Sequence, residues 1–160
     1  MSHPSLGLPP PDEKAGSPAA AEAIRAHRDR LATRAFEAAV EADPTFRDRY
    51  DEIGLRRLLR DTGSMIDRVA LAVATNDPEF ASEWAYWVGP VFRRRHVPMD
   101  DLITIAEAVR RVLVAFLPPS DVAPVHVAID EAIKTFANTR RIAGDARKRN
   151  RLLAFIYKGA

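Results

Sequence analysis

A chain of 160 residues is near the usual size of one domain, and its 47% hydrophobic and 29% charged residues are globular proportions. Twelve prolines and seven glycines are ordinary usage and exclude a collagen-like or wholly disordered chain; the lack of cysteine excludes a disulfide framework, a thiolate zinc site and a cysteine nucleophile. The net charge of +2 is uneven, because residues 140–160 sum to +6 and leave −4 on the rest.

The N-terminal stretch MSHPSLGLPPPDEK has neither a basic leader nor a long apolar core, so it does not read as a secretory signal. Residues 1–17 are rich in Pro, Gly and Ser without periodicity and are expected to be a flexible arm. Ser17 followed by Pro18 is an N-cap with proline at the first helical position. From there Ile24, Leu31, Ala35, Ala38 and Ala39 fall on one face of a helix that Asp43-Pro44 ends. Phe46, Tyr50 and Ile53 suggest a short helical corner before Gly54.

Leu55, Leu58, Leu59, Thr62, Ile66, Val69, Ala70 and Val73 keep the i, i+3, i+4, i+7 spacing of an amphipathic helix. Gly63 inside it implies a close approach or a bend, and Asn76 is suited to end it in the left-handed conformation. Asp77-Pro78 then starts a helix carrying Phe80, Trp84, Trp87, Val88 and Val91, with a kink expected at Pro90. Trp84 and Trp87, at i and i+3, are expected to share a face. Val97-Pro98 opens the next helix, whose first turn holds Asp100 and Asp101, where carboxylates favour the positive end of the dipole. Its apolar face is Leu102, Ile105, Ala106, Val109, Val112, Leu113 and Phe116, and Pro118-Pro119 stops it. A last helix begins near Ser120 or Asp121 and shows Val122, Val125, Ile129, Ile133 and Phe136, with Leu152, Leu153 and Ile156 resuming the stripe. Unbroken to residue 157 it would span about 55 Å, longer than a small domain is wide, so its end should project, dock or bend at Gly144. No segment alternates like a strand, so the fold class is all-α: a bundle of five to six helices with a long C-terminal helix.

Chemistry is sparse. His3, His27, His96 and His126 form no HxxxH or HExxH pair, and there is no Gly-rich phosphate loop, no GxSxG and no ExxH carboxylate motif. No metal site and no enzyme activity are expected. No apolar run reaches about eighteen residues, so no transmembrane helix is expected and the chain reads as cytoplasmic. The basic stretch after Arg140 invites a polyanion or an acidic protein surface, although a solvated helix end accounts for it and nucleic acid is the weaker reading.

One stretch carries a family resemblance. Asn76-Asp77-Pro78-Glu79-Phe80, Val88-Gly89 and the run from Phe92 to Val97-Pro98 resemble the signature of bacterial globin-coupled sensors. In that family an Ile-Gly pair precedes the haem-binding histidine by three residues, and a Val/Leu-Pro step starts the next helix. Here Phe92 stands at the histidine position, and His96 stands one turn later, where the family commonly has glycine. The chain thus looks like a non-haem sensor globin, as in the N-terminal regulatory modules of stressosome scaffold proteins. The resemblance covers about residues 50–117 by motif and 18–157 by helix order, and the globin-like domain is expected to be residues 18–160.

That resemblance implies a regulatory module without catalysis and without cofactor, with haem held by a relocated His96 or by His27 as the alternative. A pocket for an apolar small molecule would be walled by Ile66, Val69, Trp84, Trp87, Val88, Val91, Phe92 and Ile105, unless side chains fill it. Family members dimerise through their last two helices. Here that implies a homodimer surface of Val109, Val112, Phe116, Ile129, Ile133 and Phe136, and a separate partner protein to receive the signal.

Overall fold

A computed structural model describes residues 15–143, with side chains to Arg141. Among these residues all regular structure is helical: α1 (Pro18–Ala26), α2 (Arg28–Ala42), α3 (Phe46–Arg49), α4 (Glu52–Thr75), α5 (Glu79–Arg94), α6 (Met99–Phe116), a 3-10 turn (Pro119–Asp121) and α7 (Val122–Ala143). Residues 1–14 of the expected arm, and the 144–160 stretch with Leu152, Leu153 and Ile156, lie outside the described residues.

The helix boundaries follow short-range polar chemistry. The Ser17 hydroxyl accepts the Ala20 amide at 3.4 Å, and the Ser17 amide donates to the Val73 carbonyl at 2.8 Å, which ties the start of α1 to the end of α4. Each Asp-Pro step supplies a side-chain acceptor for the next turn. Asp43 Oδ1 accepts the Thr45 amide, and Asp77 Oδ1 accepts the Glu79 amide at 2.9 Å. Asn76 ends α4 at φ 52°, the left-handed geometry expected of it.

The first predicted helix is two. At His27 (φ −115°, ψ 13°) the chain leaves helical geometry for one residue. The cause is tertiary: α1 packs on α4, whereas α2 packs on both α4 and α6, so the second half must turn toward α6. The His27 ring meets Phe116 of α6 with centroids 5.3 Å apart. The α1 and α2 faces are built from Ala20, Ala21, Ala32, Ala35 and Ala39, all buried, and such small residues let the helices come close.

Gly63 is an approach site: a Cβ there would stand 2.7 Å from the Arg28 guanidinium, which crosses it to reach Asp67 at 2.8 Å. The helix α5 runs through Pro90, which is exposed. The amphipathic stripes of α4, α6 and α7 meet in one core, with Leu58, Ile66, Val69, Leu102, Ile105, Leu113, Ile129 and Phe136 all buried. Helix α7 lies antiparallel to α6. Arg140 pairs with Asp100 at one end, and Arg110 pairs with Asp130 at 2.5 Å farther along.

Candidate functional site

The residues expected to wall a pocket divide between core and surface. Ile66, Val69, Phe92 and Ile105 are buried in the common core, and Trp84 and Val88 are half-buried against it. The Trp84 ring stands edge-on to Phe136 with centroids 6.2 Å apart. Trp87 and Val91 do not belong to this wall; they are 73% and 42% exposed. The inward line of α5 is Ala81, Ala85, Gly89 and Phe92, so narrow that a three-residue step from Trp84 turns Trp87 into solvent. Gly89 permits that tight packing, since a Cβ there would meet the Thr139 methyl of α7 at 3.3 Å. Tyr86, 66% exposed, stands edge-on to Trp87 with centroids 5.8 Å apart. The two rings form an outer aromatic face with Val91.

Three of the six residues of the expected dimer surface lie inside the protomer. Val109, Ile129 and Phe136 are buried within one protomer, and Val112, Phe116 and Ile133 are half-buried against the same core. The physical reason is that α6 and α7 turn their stripes on each other and on α2, α4 and α5.

His96 is exposed and sits at φ 58° just beyond α5. Its amide donates to Arg93 O at 2.9 Å, and the Val97 amide donates to Phe92 O at 2.9 Å. This is the paired bonding of a Schellman motif, with buried Val97 and Phe92 as its apolar partners. His96 therefore occupies a helix-ending position that ordinarily favours glycine. Among the described residues, neither Phe92 nor His96 is placed to ligate a haem iron from the core. Phe92 has no donor atom for iron, and His96 lies outside the core. The exposed His27 packs on Phe116, with Nδ1 3.0 Å from Ala23 O. His126 stands beside Arg110 at 3.4 Å. His3 lies outside the described residues.

A polar cluster that sequence reasoning misses joins α3 to α6. Arg49 Nε and Nη2 donate to the two oxygens of Asp101 at 3.1 and 2.9 Å, and Nη2 also reaches Asp43 Oδ2 at 3.1 Å. Tyr50 donates its hydroxyl to Asp101 Oδ2 at 2.6 Å, and Thr45 donates to Asp43 Oδ1 at 2.6 Å. Arg49 also donates to Thr45 Oγ1 and lies over the Phe46 ring, 4.8 Å from its centroid. Burial draws the Arg49 guanidinium downward, but Asp101 and Asp43 outweigh it and raise its pKa. Burial, reinforced by the Asp101 carboxylate, raises the Tyr50 phenol well above its ordinary value. The donors and carboxylates pair with one another, and the cluster clamps α3 to the start of α6. Its one trace in the sequence is a second aspartate in the first turn of α6, more than the helix dipole needs.

Two surface grooves flank Tyr50. One, about 890 Å³, runs between α2, α3 and the start of α4, with Phe36, Val40 and Leu55 beside Glu37, Glu41 and Glu52. The other, about 720 Å³, brings Arg57, Arg94 and Arg95 beside Ile53. Among the described residues no three His, Asp or Glu side chains are placed to hold a metal ion, and no helix is long and apolar enough to cross a membrane. No family model matches the chain, and no curated protein matches it.

Proposed function

We propose that this chain is a non-enzymatic regulatory module of the non-haem sensor-globin type that acts by binding protein, itself included. The observation that carries the reading is the outer aromatic face of α5. Trp87 is 73% exposed in a helix whose other side anchors the core. A cluster of large apolar side chains in water is the usual mark of an interaction surface. Phe92 supports the non-haem part, since it is 2% exposed and closes the core at the position where the resemblance expects an iron ligand. An apolar ligand in this reading would have to enter beside half-buried Trp84 and Val88, because Ile66, Val69 and Ile105 are sealed.

Light scattering of the full chain at micromolar concentration tests the reading. A dimer that becomes monomeric in Trp87→Glu is the expected result. A monomer that captures no partner through this face would count against it. Hemin should leave the ultraviolet–visible spectrum unchanged. A sharpened Soret band lost in His96→Ala would restore the haem reading.

A further inference from the structure

The groove between α2, α3 and the start of α4 combines an apolar floor with uncompensated negative charge. Phe36, Val40 and Leu55 are half-buried along it. Glu37 and Glu41 stand one helical turn apart on α2, both exposed, and neither makes an ion pair with another described residue. Glu52 is paired with Arg56, and Arg47 is the one cation among the described residues that line the groove. Like charges at i and i+4 repel, so an unaccompanied Glu37–Glu41 pair costs the helix stability that a bound cation would restore. A groove of this composition suits a segment that is cationic and apolar together.

This chain carries such a segment. Arg147, Lys148, Arg149 and Arg151 precede Leu152-Leu153 and Phe155-Ile156. The end of α7 and the groove are linked through the start of α6. Arg140 pairs with Asp100, the neighbouring Asp101 accepts the Tyr50 hydroxyl at 2.6 Å, and Tyr50 itself lines the groove. Residues 144–151 reach up to about 27 Å when extended, enough to carry Leu152 from the end of α7 past the start of α6.

We propose that residues 147–158 dock into the Glu37–Glu41 groove of their own chain, arginines on the carboxylates and the Leu152–Ile156 stretch on Phe36, Val40 and Leu55. The docked segment would cover this acidic, apolar groove. A competing basic segment on a partner protein would have to displace it.

The lack of native cysteine makes the test direct. In the full chain, Pro44→Cys at the groove edge is combined in turn with a cysteine at each position from 152 to 156. Each pair is oxidised mildly at low concentration. At least one pair should form an intrachain disulfide, and adding Glu37→Lys with Glu41→Lys should cut its yield at least fivefold. One molar salt should lower the yield in the same direction. Circular dichroism and thermal melting confirm that each variant is folded. Folded variants that form no bond would overturn the proposal. So would bonds only between chains, which would assign the groove to a second copy, or an intrachain yield indifferent to charge reversal.

Discussion

Arg49 and Asp101 face each other across 52 positions of sequence and form a two-point ion pair, with side chains 10% and 0% exposed. The pair fixes α3, a helix of only four residues, onto the first turn of α6. Exposed pairs are worth little, but removing one partner of a buried pair strands the other charge. Asp101→Ala should therefore destabilise the chain by about 3 kcal/mol, near the lower end for such losses because Asp43 still holds Arg49. Chemical denaturation measures this. A change below about 1 kcal/mol would equate the clamp with a surface pair.

Tyr50 gives the same clamp an alkaline limit. Its phenol is held protonated in the fold, first by burial and then by Asp101. The folded pKa lies above the unfolded value of 10.0, so the stabilisation is fully present below that pH and is lost as pH rises through the folded pKa. Unfolding free energy should fall steadily from about pH 10 upward. Tyr50→Phe should flatten that slope while lowering stability at pH 8 by about 1 kcal/mol for the lost bond to Asp101. Denaturant titrations at pH 8 to 11 on both proteins compare the slopes, and parallel slopes would contradict the assignment.

His96 stands where an L-residue is strained, at φ 58°. His96→Gly should stabilise the chain by about 1 kcal/mol and raise Tm by about 3 °C, whereas His96→Val should lower both. Thermal melts followed by circular dichroism decide this. A Tm lowered by glycine would mean that the imidazole contributes more than the strain costs.

Phe92 and Trp87 lie five positions apart and should behave oppositely. Phe92→Ala empties a core site and should cost about 3–5 kcal/mol. Trp87→Ala should change the stability of the monomer, measured below the concentration at which it associates, by less than about 0.5 kcal/mol, because the side chain is largely in water there. Denaturation curves of the two variants side by side provide the check. A large loss at Trp87 would mean that the outer face is part of the fold.

Helix identity is legible wherever one stripe meets one core. The stripe from Leu58 to Val73 is the buried face of α4, and that from Leu102 to Leu113 is the buried face of α6. The stops are legible where a side chain caps locally, as at Ser17, Asn76 and the two Asp-Pro steps. The break at His27 is not, because neither proline nor glycine marks it and the competition between α4 and α6 for α1 and α2 produces it. Orientation around a helix is also hidden at a resolution of three residues: Trp84 turns in and Trp87 turns out. Val109, Ile129 and Phe136 show the same limit from the other side, since an apolar stripe does not say whether its mate is in the same chain. The Arg49–Asp101 clamp leaves only a spare aspartate at the start of α6 as its trace, because neither partner has a local reason to seek the other.

The split between Trp84 and Trp87 has an optical consequence. The chain has two tryptophans, one held edge-on to Phe136 and the other open to water. Its intrinsic fluorescence should therefore combine a blue-shifted emission that iodide quenches weakly with a red-shifted one that iodide quenches strongly. A protein settling on α5 silences the quenching and leaves the blue component in place, whereas unfolding merges the two. Occupancy of the outer face and integrity of the core can thus be read from one unlabelled sample.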